Sequence, residues 1–241
     1  MQRIILYWIF LFLPAAYTST HTEPFVAEPD TALPATRKLY TETGLEKVVS
    51  FAAFEQALVG HACIERKNKD IVTIIDFSKP STAKRLAVLD IKQRKLLFSS
   101  LVAHGKNSGE NYAVSFSNAN GSHKSSLGFY VTENTYRGKN GYSLILDGLE
   151  KGINDRAKER AIVMHGAAYA NPAVIGQGGR LGRSFGCPAL PQALTKPIID
   201  TIKGGTLLFI YADDSHYLSR SSILYGNRGN QPHADELAGP I

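Results

Sequence analysis

The chain has little of what small or metal-dependent proteins lean on. Two cysteines (Cys63, Cys187), two methionines and one tryptophan occur in 241 residues, which excludes a disulfide-stapled miniature and a thiol-rich zinc module. No Cys-x-x-Cys or His-x-x-x-His spacing is present, so no pre-organised pair of metal ligands is offered. An exported pair of cysteines is often a disulfide, but Cys63 lies in a helix-like apolar run and Cys187 in a glycine-rich loop, two different employments. After Ile4–Leu13 no apolar run approaches the roughly 20 residues that span a bilayer as a helix. A long basic arm interleaved with aromatics is also missing. Lysines and arginines are scattered, with short clusters only at 65–69 and 93–95, which argues against a nucleic-acid partner despite a net charge of +6. That charge still favours polyanionic surroundings, including cell-wall polymer. There is no internal repeat and no low-complexity tract.

What is present reads as one globular domain with extensions. A hydrophobic fraction of 44% and a charged fraction of 20% suit a soluble protein with a full core. Met1-Gln2-Arg3, then the apolar Ile4–Leu13, then small and polar residues have the layout of a signal peptide over 1–19, predicting a periplasmic or otherwise exported protein with no stable membrane span. Residues 20–42, with Pro24, Pro29 and Pro34, read as a linker. The domain is expected over 43–211. Thr43-Gly44-Leu45-Glu46 has capping-box spacing, and Phe51, Phe54, Leu58 and Ala62 make one apolar helical stripe ending near Arg66–Asn68.

From Ile71 the pattern changes to short β-rich runs at 71–77, 86–91, 96–103, 129–132, 144–146, 161–165 and 206–211, separated by glycine, proline and asparagine. The spacing is too tight for regular βαβ crossovers, so the expected fold is mainly β, a largely antiparallel sandwich or barrel with an N-terminal helix and short peripheral helices. Those short helices are expected near 154–160 and from Thr195, with Pro197 in a first turn and Gly204 past the end. The tail 212–241 is polar and carries no assigned function.

Chemistry concentrates in two stretches. Ile162-Val163-Met164-His165-Gly166 is an apolar strand delivering a histidine to its end, and Gly182-Arg183-Ser184-Phe185-Gly186-Cys187-Pro188-Ala189 is a loop presenting a cysteine. Acyl transfer needs a thiolate, a base to generate it, and backbone donors for the developing oxyanion. Cys187 supplies the nucleophile and His165 the base, and their ion pair is expected to lower the thiol pKa. Gly186 lets a carbonyl approach the loop backbone, and Ser184 orients the loop or donates. A strand-end histidine beside glycines is also a common structural residue. His104 and His123 are secondary candidates, the first as a turn-stabilising residue and the second in a serine-rich loop.

His-Gly, a loop and then Ser-x-Gly-Cys resembles the signature of L,D-transpeptidase catalytic domains. Val102-Ala103-His104-Gly105, Phe116-Ser117-Asn118, 125–130 and 143–149 extend the resemblance to the branch whose loop reads Arg-Ser-aromatic-Gly-Cys-Pro-Ala, over about 45–211. The resemblance implies a β-sandwich that cross-links peptidoglycan stem peptides through a Cys187 thioester, with His165 as base, Ser184 and Gly186 as supporting loop, and no cofactor. Transfer to water would make it an L,D-carboxypeptidase. Two positions depart from the common pattern: Phe185 stands where a second histidine is frequent, and Ala189 where an arginine is frequent. If substrate carboxylates still need a cation, Arg183 or Arg180 on the loop is the expected source. Two rival readings remain open: His104, His165 and Cys187 as zinc ligands, and a catalytically silent wall-binding module.

Overall fold

The computed structural model describes residues 34–65 and 70–225. The expected signal segment and most of the expected linker lie outside the described residues. The last part of that linker does not stay irregular: Pro34–Glu42 forms helix α1, because Leu39 and Tyr40 reach the core and the Tyr40 hydroxyl donates to Val49 O at 2.6 Å. Thr43 turns back onto α1, donating to Leu39 O at 2.7 Å, so the expected capping box does not form. Helix α2 (Phe51–Cys63) is capped instead by Ser50, whose Oγ accepts from Ala53 N at 3.3 Å. It ends at Cys63, while residues 66–68, where its end was expected, lie outside the described residues.

Eight strands follow: β1 (Ile71–Asp76), β2 (Leu86–Asp90), β3 (Lys95–Ser100), β4 (Gly128–Gly138), β5 (Gly141–Gly148), β6 (Val163–Gly166), β7 (Ala189–Leu190) and β8 (Leu207–Tyr211). They form one sheet in the order β3-β2-β1-β8-β4-β5-β6-β7. The mainly β expectation holds, with two additions. The pairs β1–β8 and β6–β7 are parallel, the remainder antiparallel. The sheet also nearly closes on itself, because the chain just past β3 bridges to β7: Ala103 N donates to Ala189 O at 2.8 Å and Ala189 N to Ala103 O at 3.2 Å. Curling the edges together removes most unpaired edge backbone and yields a barrel-like body.

The core lies between α2 and the sheet. Phe54 and Leu58 face β1 and β8, and Phe129 stacks on Phe209 with ring centroids 4.2 Å apart. Gly60 permits this close approach, since a methyl group there would stand 2.1 Å from Phe129 Cε1. Residues 154–160, expected as a helix, run instead as successive turns from Lys151 to Ala161. Helix α3 (Ala173–Gly178) lies in the connection before the cysteine loop, and α4 (Gln192–Ile202) starts three residues before Thr195, which puts Pro197 inside it rather than in its first turn. The tail is not featureless: α5 (Ser215–Arg220) and α6 (Ser222–Tyr225) bury Tyr217 and Leu224, while 226–241 lie outside the described residues. Among the described residues no helix is long and apolar enough to cross a membrane.

Candidate active site

His165 is delivered by β6. Antiparallel pairing to β5 sets it opposite Ser143, and parallel pairing to β7 sets it beside Ala189, two residues past Cys187. Both side chains therefore arrive on one wall, and both line a cavity of ≈790 Å³ with Arg160, Tyr169, Ser184 and Phe185. The His165 ring Nδ1 lies 3.1 Å from Gly166 O. A carbonyl only accepts, so Nδ1 carries the proton and Nε2 keeps its lone pair. Burial holds the His165 pKa below the usual 6.5, which keeps the ring neutral and basic near neutrality.

The cysteine loop is bolted rather than floppy. Ser184 Oγ donates to Cys187 O at 2.6 Å and accepts from Gly186 N at 3.0 Å. Ser125 Oγ donates to Gly186 O at 3.0 Å and accepts from Gly105 N at 3.0 Å. Gly186 has φ +127, and a methyl group there would stand 2.8 Å from both Ile162 Cδ1 and Lys124 O, so only glycine fits. Ser184 N donates to His104 O at 2.9 Å. With Ser184 N and Gly186 N thus occupied, Phe185 N and Cys187 N are the loop donors nearest Cys187 in sequence that have no partner among the described residues. They are the ones able to receive an oxyanion.

The resting thiol differs from expectation. Cys187 Sγ lies 3.4 Å from Val163 N and 3.6 Å from Ala161 O, and it makes no hydrogen bond to His165. Burial pushes its pKa above the ordinary 9.0, opposed by the Val163 N–H and the Arg160 charge, so no ion pair lowers it in this state. A buried thiolate with few donors is costly, and the neutral thiol wins.

Arg180 and Arg183, expected to meet substrate carboxylates, both pair with the single carboxylate of Glu110. Arg180 Nε lies 2.8 Å from Glu110 Oε2, and Arg183 Nη1 lies 2.6 Å from Oε1. Arg183 also donates to Lys106 O and Gly109 O, and it lines the cavity, whereas Arg180 does not. Ala189 has no room around it for the arginine frequent at that position. That residue is fully buried in β7, in a small cluster with Ala103, Ala167, Ala170 and Leu181. Phe185 is 66% exposed at the cavity mouth, 4.5 Å from the His123 ring and 4.6 Å from Lys106 Nζ.

The zinc reading fails on His104. Its Nδ1 accepts from Arg85 Nη2 at 2.8 Å and its Nε2 faces Gly109 O at 3.3 Å, so neither nitrogen is offered to the cavity. Among the described residues no group of three His, Cys, Asp or Glu side chains could hold a metal. Cys63 and Cys187 are not joined. Two cavity residues escaped sequence reasoning, Tyr169 and Arg160. Tyr169 sits in the ordinary-looking turn after His-Gly-Ala-Ala. Arg160 carries no signal beyond its place just before β6.

A family model described as the L,D-transpeptidase catalytic domain matches residues 45–211. No curated protein matches the chain. Solved structures that do match are distant. An L,D-transpeptidase from Mycobacterium smegmatis is 12% identical at TM-score 0.36, with 59% of each chain covered. One from Xylanimonas cellulosilytica is 14% identical at TM-score 0.33, covering 61% of this chain and 62% of the other. The helical cell shape determining protein Pgp2 from Campylobacter jejuni is 14% identical at TM-score 0.41, covering 77% of this chain and 59% of the other. The chain thus spans about three fifths of the length of these structures.

Proposed function

The chain belongs to the L,D-transpeptidase catalytic-domain family, and from that premise we propose that it is an exported cysteine acyltransferase acting on peptidoglycan tetrapeptide stems. Cys187 is the nucleophile and His165 the base. The supporting observation is the shared cavity wall, with a lone pair available on His165 Nε2 and two open donors in the cysteine loop. Residues Val163 and His165 are two apart on one strand, roughly 6.6–6.8 Å along the chain and on the same face. The reading requires Sγ to leave the Val163 N–H for the imidazole when substrate binds, since catalytic hydrogen bonds are often long before that step.

His165 Nε2 takes the thiol proton as Sγ attacks the carbonyl at the L-centre of the stem's diamino acid. The oxyanion forms against Cys187 N–H and Phe185 N–H. Collapse expels D-alanine, whose amine takes the proton back from the imidazolium, leaving a thioester on Cys187. An amine of a second stem then gives up a proton to His165 and displaces the thiolate, forming a cross-link. Water in its place would release a tripeptide. The thiol and imidazole supply the chemistry without a cofactor. Turnover, rather than silent binding, is favoured because nucleophile, base and oxyanion donors line one cavity, and the two departures at Phe185 and Ala189 remove none of them. Incubation with a purified tetrapeptide stem should release D-alanine. Cys187→Ala should abolish that release, and His165→Ala should lower kcat/KM by about 10²–10⁴. Undiminished release by Cys187→Ala would refute the reading.

A further inference from the structure

The cavity is lined on its charged side by Lys139, Arg160 and Arg183, with His165 and Tyr169 as its other titratable groups beside Cys187, and no carboxylate contributes to the wall. Arg183 is paired with Glu110, a carboxylate it shares with Arg180, and Lys139 sits on the exposed β4–β5 turn. Arg160 differs from both. Its Nη1 donates to Ser117 O at 2.8 Å and Ser126 Oγ at 2.5 Å, and its Nη2 to Lys124 O at 2.7 Å and Ser122 Oγ at 3.2 Å. Every partner is a neutral oxygen, and no acid is paired with it among the described residues. A guanidinium stays charged in such a setting, so its positive charge is fixed in place and uncompensated.

That charge lies against the cysteine loop. Arg160 Nη2 would stand 3.4 Å from a methyl group on Gly186, and Cys187 Sγ contacts the carbonyl of Ala161, the next residue along. We propose that Arg160 is the fixed counter-ion of the Cys187 thiolate. His165 moves the proton and Arg160 holds the resulting negative charge on sulfur until the carbonyl is attacked. The arginine side chain also ties the 117–126 loop to the turn before β6, so the charge is rigidly aimed. The inference rests on Cys187 being the nucleophile, but its test reads the thiol directly and needs no peptide substrate.

The rate of Cys187 alkylation by iodoacetamide is followed against pH in the full chain. Mass mapping of the labelled peptide keeps Cys63 out of the signal. In Arg160→Gln, which keeps donors and loses charge, the inflection should move up by at least about one pH unit, which is tenfold slower labelling below it. Arg160→Lys should bring it back to within half of that shift. An unmoved inflection in Arg160→Gln, or no recovery in Arg160→Lys, overturns the proposal. Should Arg160→Gln fail to fold by circular dichroism, the double variant Ser122→Ala/Ser126→Ala decides, since it removes two loop bonds and keeps the charge. An inflection that stays supports the counter-ion, and one that rises by a unit reduces Arg160 to a mechanical tie. Loss of D-alanine release with an intact thiol profile would count against the proposed function and leave this inference standing.

Discussion

At the scale of single residues, burial decides the protonation state of every group that matters. Arg85 is fully buried, and desolvation pulls it down to about 9 against the opposing pull of the Asp76 charge. It donates to Val102 O, Lys79 O and His104 Nδ1, so the buried cation is held by acceptors and fixes His104 as neutral. Burial and that neighbouring charge push His104 from 6.5 down to about 4. The unfolded chain binds a proton at this histidine below 6.5 that the folded chain refuses until about 4. Stability from this group is thus complete above that window and lost as pH falls through it, by roughly 3 kcal/mol. Urea melts between pH 7 and 4 should show that loss in the wild type and its absence in His104→Asn, whose amide oxygen still accepts from Arg85. Superimposable pH profiles for the two proteins would contradict the account. The same reasoning explains why Cys187 is a resting thiol: a side chain that is a nucleophile by chemistry is kept neutral by its surroundings until a base and a cation act on it.

At the scale of elements, the sequence pattern located most of the structure and failed where contacts are distant. The seven β-rich runs all became strands, because alternation and β-branched composition are local properties. The two-residue β7 could not be seen: it exists through pairing with β6 and a bridge to Ala103, partners far away in the chain. Polarity hid α5 and α6, since only Tyr217 and Leu224 of their apolar side chains are buried, with Leu218 and Ile223 half-buried against the core. These helices complete a buried site. Glu150 accepts from Phe129 N at 2.8 Å and from Tyr217 Oη at 3.1 Å, and Ser221 Oγ closes onto its other oxygen. Desolvation raises the pKa of this carboxyl group, and the Ser221, Phe129 and Tyr217 donors oppose it. Ending the chain after Ala212 strips two of those donors and uncovers two apolar side chains. The truncated protein should lose at least about 3 kcal/mol, read as a lower thermal midpoint. An unchanged midpoint would show that α5 and α6 merely rest on the surface.

At the scale of the whole molecule, curling one sheet until its edges meet is what brings chemistry together. The bridge from Ala103 to β7 lays the 104–109 turn against the cysteine loop, and β6 holds His165 on the same wall. His165 at a strand end and Cys187 in a glycine-rich loop stood out in sequence as candidates because each sits in a short motif with its own local reason. Arg160 was not, because its meaning comes from four oxygens between residues 117 and 126 and from a thiol 27 positions later. Arg180 and Arg183 drew attention through their loop placement, which gave no sign of their shared pairing with Glu110 far upstream. The central claim is that Cys187 becomes acylated by a stem peptide. Intact-mass spectrometry after brief incubation with a tetrapeptide stem should show an adduct of stem minus D-alanine, mapped to the Cys187 peptide and missing in Cys187→Ala. An unmodified wild-type mass while D-alanine accumulates, or an adduct mapped to any other residue, would contradict the account.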